Sequence, residues 1–108
     1  MTAYPWVRLL ALAECPPEGK SRFVACNGHE LAVFHLAEPR RFVVTPNGCP
    51  HAGGNLAAGH IEDHQVCCPW HEWTFDLDTG SCRLSPEVSL TRYESRQTED
   101  FLWVRLPD

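Results

Sequence analysis

Two pairs of cysteine and histidine carry most of the chemistry available to this 108-residue chain. One is Cys49-Pro50-His51, the other is Cys68-Pro69-Trp70-His71, and sixteen residues separate His51 from Cys68. Two soft thiolates and two imidazoles form a metal-binding set. Two chemistries use it: a structural zinc site, and an iron–sulfur centre with two cysteines on one iron and two histidines on the other. Zinc modules usually space paired ligands by two to four residues. Here Pro50 alone separates Cys49 from His51, which is awkward for zinc.

Holding two such loops side by side requires short, rigid elements, and the rest of the chain reads that way. Trp6 to Leu9 is predicted as a first strand, followed by a loop over Glu14-Cys15-Pro16-Pro17-Glu18-Gly19-Lys20, which no helix or central strand would tolerate. Ser21 to Cys26 and Glu30 to Leu36 flank Asn27-Gly28, the dipeptide that favours a tight hairpin turn. Arg41 to Thr45 forms a strand that runs into the first loop. Leu31-Ala32-Val33-Phe34 is apolar on both faces, as suits a strand packed between sheets. Gly59 to Cys68 reads as a hairpin with Glu62-Asp63-His64 at its tip. Asp78-Thr79-Gly80 is a turn and Ser85-Pro86 a break. The last strands are about Leu90 to Ser95 and Phe101 to Leu106, joined by the polar stretch from Arg96 to Asp100. No long segment has helical periodicity and no internal repeat is present. The expected fold class is all-β, a small antiparallel sandwich or barrel.

The stretch from Asn47 to Gly80 resembles the Rieske [2Fe–2S] family. The resemblance is carried by the two ligand pairs, by Gly53-Gly54 after the first, and by Phe75-Asp76-Leu77-Asp78-Thr79-Gly80 after the second. It implies a single domain over residues 1–108 with an inserted cluster-binding subdomain at about residues 46–86. It also implies one [2Fe–2S] cluster per chain, with Cys49 and Cys68 on the inner iron and His51 and His71 on the outer one. Only Cys68 gives the family's Cys-Pro-x-His order, so the adjacent Cys67 is expected to be a strand residue facing the core. With all four ligands supplied by protein, no coordination position is left for a substrate. The chain is therefore expected to be an electron carrier, not catalytic alone, serving a protein redox partner such as a flavin reductase, an oxygenase or the large subunit of a nitrite reductase. The chain is similar both to stand-alone ferredoxins and to small subunits of NAD(P)H-dependent nitrite reductases, which often share Cys-Pro-His-Ala-Gly-Gly. A terminal oxygenase would need a further iron on two histidines and a carboxylate, and no histidine follows His71.

High-potential members of the family resemble one another in a disulfide joining the ligand loops and in hydroxyl donors to cluster or cysteine sulfur. At the two disulfide positions this chain has Gly54 and Trp70, and at the hydroxyl positions Trp73 and Phe75. Glu72 stands where the family commonly has glycine. These differences imply a potential in the lower part of the Rieske range.

Composition limits the partners. A formal charge of −5 disfavours nucleic acid and anionic membranes and favours a protein with a basic docking face. The apolar run from Val7 to Ala13 is too short for a membrane helix and lacks the basic start of a secretory signal. Cys15, Cys26, Cys67 and Cys82 are expected as thiols of a reducing cytoplasm. His29, His35, His60 and His64 are expected to be partly exposed polar residues and not ligands. Trp70 and Trp73 are candidates for shielding the cluster or meeting a partner, and Trp6 and Trp103 for core or sheet-face packing. The sequence leaves the oligomeric state open.

Overall fold

The computed structural model describes residues 4–37, 41–50, 53–69, 73–82 and 84–107. Among these, nine strands are present: β1 (Trp6–Ala11), β2 (Ser21–Cys26), β3 (His29–Leu36), β4 (Arg41–Pro46), β5 (His60–Glu62), β6 (Gln65–Cys67), β7 (Thr74–Asp76), β8 (Ser95–Gln97) and β9 (Phe101–Arg105). They form three antiparallel three-stranded sheets, ordered β1–β9–β8, β2–β3–β4 and β5–β6–β7.

Strand β3 explains the layering. Successive side chains of a strand point to opposite faces, and those of β3 are apolar on both. Leu31 and Val33 enter an aliphatic core with Leu10, Val44, Leu102, Val104 and Leu106. Ala32, Phe34 and Leu36 enter a second core with Val43, Leu56, Val66, Phe75, Leu77 and Leu90. The β2–β3–β4 sheet is therefore a middle layer, with β1–β9–β8 on one face and β5–β6–β7 on the other. Each large side chain fully buried this way contributes roughly 1.5–3 kcal/mol.

Turns fix the register. Asn27 and Gly28 have φ of 50° and 81°, the paired positive angles that join two strands without splaying them. The β5–β6 turn uses the same backbone without glycine, with Asp63 at φ 49° and His64 at φ 62°. After β7, the Asp76 carboxylate accepts the backbone N–H of Asp78 at 2.7 Å, and the Asp76 carbonyl accepts that of Gly80. Gly80 is required there: its φ is 84°, and a Cβ would collide with the Leu90 carbonyl.

The expected strand from Leu90 to Ser95 is displaced. The ladder runs over Ser95–Gln97, and before it the chain makes isolated bonds, from Leu90 N–H to Gly80 O and from Tyr93 N–H to Val44 O. Leu90 is an apolar anchor for the second core, where the chain crosses from one layer to another. Two single turns of 3₁₀ helix, Leu12–Glu14 and Leu56–Ala58, interrupt the strands. On the outer face of β1–β9–β8, Trp6 lies under the guanidinium groups of Arg96 and Arg105, 5.0 and 4.4 Å from its ring centre. The Trp103 Nε1–H donates to Thr98 Oγ1 at 2.9 Å.

Candidate metal centre

Cys49 follows β4 and Cys68 follows β6, so a different sheet delivers each. Both are buried, at 3% and 0% exposure, and both belong to the apolar core between the middle sheet and β5–β6–β7. Their loops close in the same way. The Cys49 N–H donates to the Gly54 carbonyl at 2.9 Å, and the Cys68 N–H donates to the Trp73 carbonyl at 2.7 Å. In each loop the cysteine is tied to the residue five positions on. The first loop is tightened further by a 2.7 Å bond from the Gly53 N–H back to the Cys49 carbonyl. The Asn47 carbonyl and side chain accept the N–H groups of Leu56 and Ala57, fixing the chain that leaves this loop.

None of the six cysteines is disulfide-bonded. Two buried cysteines at the bases of matched loops are chemically a soft-metal donor pair, and they are the residues expected as the thiolate half of the ligand set. His51 and His71, the imidazole half, lie outside the described residues, as do Trp70 and Glu72. Phe75 is fully buried and Trp73 packs against the same core, so the two positions expected to lack hydroxyl donors line the thiolate side.

Cys67 is not a core residue, contrary to expectation. Val66 points inward, so the alternation of β6 places Cys67 on the outer face, opposite His60 and Thr74 and only partly buried. His35 also departs from expectation. It is 3% exposed, its Nδ1 lies 2.7 Å from the Pro16 carbonyl and its ring packs on Phe42 at 4.3 Å. A central strand flanked on both sides leaves even its penultimate residue no solvent face. His29 is partly exposed and His60 is exposed, with His60 3.4 Å from Glu62.

Sequence reasoning misses one polar group at the far end of β4 and β6 from the two cysteines. His64, Asp78 and Arg41 meet at the seam between β5–β6–β7 and the middle sheet, with His64 Nδ1 3.1 Å from Asp78 Oδ2 and Arg41 ion-paired to Asp78. Each reads in sequence as an ordinary turn or strand residue, and no spacing rule connects them. Away from the centre, burial pushes the Cys15 thiol up, against the nearby Arg22 guanidinium and with the help of Glu14. Burial raises the Tyr93 phenol as well. Among the described residues, no helix is long and apolar enough to cross a membrane.

Three antiparallel layers with two unbridged, buried cysteines on matched loops define an all-β protein with a paired-thiol site. The family model of the Rieske [2Fe-2S] domain matches residues 5–94, and the chain belongs to that family, whose cofactor is a [2Fe–2S] cluster. The ferredoxin component of a naphthalene 1,2-dioxygenase system from Pseudomonas aeruginosa is 32% identical over 81 residues, covering 75% of each chain. A structure assigned as the small subunit of an NADH-dependent nitrite reductase from Mycobacterium tuberculosis superposes with a TM-score of 0.85 at 26% identity, over 99% of both chains. A chain in the complex of reduced oxygenase and oxidized ferredoxin of carbazole 1,9a-dioxygenase superposes with a TM-score of 0.77 at 28% identity, over 93% of this chain and 92% of that one. The chain also matches much longer cholesterol 7-desaturases, of which it spans 17–22%.

Proposed function

We propose that this chain is a one-electron carrier whose [2Fe–2S] cluster is held by Cys49 and Cys68 on one iron and His51 and His71 on the other, within a cluster-binding region at about residues 46–86. The observation that carries this reading is the placement of Cys49 and Cys68 in one buried core at the bases of identically closed loops. When bound, the cluster supplies single-electron chemistry at a potential above that of an all-cysteine ferredoxin, because neutral imidazoles replace anionic thiolates on one iron. The protein's own contribution is positional. Leu56, Val66, Phe75 and Leu77 exclude water from the thiolate side, and the backbone bonds of the two loops hold the cysteines in place.

The partner favoured here is an oxygenase system, because the chain covers three-quarters of a dioxygenase ferredoxin component but only about a fifth of the desaturases. A second reading, the small subunit of a nitrite reductase, rests on the superposition over 99% of both chains. Purifying the tagged chain with its native partners under anaerobic conditions separates them. Co-elution with a flavin reductase or a mononuclear-iron oxygenase supports the first, and co-elution with a sirohaem- and flavin-containing chain supports the second. A colourless, zinc-loaded protein without a reduced-state paramagnetic signal would overturn both.

A further inference from the structure

One imidazole ties the β5–β6 turn to the middle layer. His64 Nδ1 lies 3.1 Å from Asp78 Oδ2, and its Nε2 lies 2.7 Å from the Ala37 carbonyl oxygen. A carbonyl can only accept, and Asp78 is ion-paired with Arg41 through its other oxygen, so it too acts as an acceptor. A neutral imidazole donates from one nitrogen and presents a lone pair at the other. Both acceptors are satisfied at once only when both ring nitrogens carry hydrogen. The participants span the seam: His64 comes from the β5–β6 turn, Asp78 from the turn after β7, Ala37 from the end of β3 and Arg41 from the start of β4.

We propose that His64 is a proton-operated latch between the cluster-binding sheet and the middle sheet, closed by the doubly protonated ring and loosened when the ring loses a proton. Asp78 faces the ring from the β7 side, with Arg41 behind it from β4. An open cleft of about 480 Å³ beside the ring brings up Glu62 and Asp63 from its own hairpin and the buried His35 from β3. A neutral ring keeps one tie and gives up the other, so the latch weakens without vanishing. The His64 carbonyl accepts the Leu77 N–H at 2.8 Å, which passes any movement of the turn to the segment after β7. The nearest expected ligand in sequence, Cys68, lies outside this group of contacts.

The test uses the cluster-loaded protein with ¹⁵N-labelled histidine. Across a pH series the Leu77 amide should be protected from exchange wherever both His64 ring nitrogens carry hydrogen. Where one nitrogen has lost its proton, the Leu77 protection factor should fall roughly tenfold, the size expected for one charge-assisted hydrogen bond. The variant His64→Asn tolerates the positive φ of this position but cannot span both acceptors, and it should show the lower protection throughout the series. A singly protonated ring with Leu77 still protected would overturn the latch. So would an unchanged pH dependence of Leu77 protection in His64→Asn. If that variant does not fold, the ring-nitrogen spectrum of the unmodified protein decides.

Discussion

The two cores on either side of the middle sheet are built for different tasks. The one beneath β1–β9–β8 has only aliphatic side chains at its centre, Leu10, Leu31, Val33, Val44, Leu102, Val104 and Leu106. The one beneath β5–β6–β7 mixes aliphatic groups with Phe34, Phe75 and the cysteines Cys49, Cys68 and Cys82. In the first, packing is the whole function of each residue. In the second, packing residues and expected ligands share one volume, so stability and cofactor binding should move together there and separately on the other side.

The largest test of that contrast is ligand removal. Cys49→Ser, Cys68→Ser, His51→Ala and His71→Ala should each abolish the bound iron and sulfide, whereas Cys67→Ser should retain the cluster, as measured by iron and sulfide content and visible absorbance. A Cys67→Ser protein without its cluster, alongside a loaded Cys68→Ser, would show the ligand register to be wrong. Next in size is the potential. With Phe75 and Trp73 packed into the core at the two positions where the family resemblance puts hydroxyl donors, protein-film voltammetry should give a midpoint of roughly −150 to 0 mV. A midpoint of about +300 mV at neutral pH, the upper limit of the range, would reject the argument from missing donors.

The cores themselves can be set against each other by truncation. Leu102→Ala should cost about 2–5 kcal/mol in denaturant unfolding and leave the visible spectrum unchanged. Phe75→Ala should cost about 3–5 kcal/mol and also perturb or lose the cluster absorbance. Equal spectra for the two variants would remove the distinction. Smaller effects are expected at the surface. Association with the true partner should slow severalfold from low to high ionic strength, since the chain carries a formal charge of −5. The smallest effect is alkaline. Burial raises the folded-state pKa of Tyr93, so its contribution to stability is intact below the unfolded phenol's value and is lost as pH rises through the folded one. Tyr93→Phe should flatten that part of the stability profile in thermal melts.

Local signals were the legible ones. Asn27-Gly28 marked the β2–β3 hairpin, and its strand bounds agree with expectation to within a residue. The two-sided apolar pattern of Leu31 to Phe34 announced the central strand and hence a layered all-β fold. The spacing singles out Cys49 and Cys68, and the structure buries both in one core. The Cys-Pro-x-His order separates Cys67 from Cys68 but says nothing of which face Cys67 takes; the period-two alternation from Val66 turns it outward. Leu90 misled because an apolar residue that anchors a crossing segment looks the same in sequence as one in a ladder. The meeting of Arg41, His64 and Asp78 was illegible for a plainer reason: it depends on how two sheets stack, which no short window contains.

The antiparallel pairing of β1 with β9 sets Trp6 opposite Arg105, so the strand that enters the fold and the strand that leaves it are direct neighbours. Both lie in the layer on the far side of the middle sheet from the Cys49 and Cys68 loops. Such a unit is modular in a geometric sense: a polypeptide could run in through one strand and out through the next, and material attached at either point would start from the layer remote from the ligand loops. The same adjacency makes the fold a candidate for circular permutation, with a short linker joining the two strands and new ends opened at an exposed turn such as Asn27-Gly28.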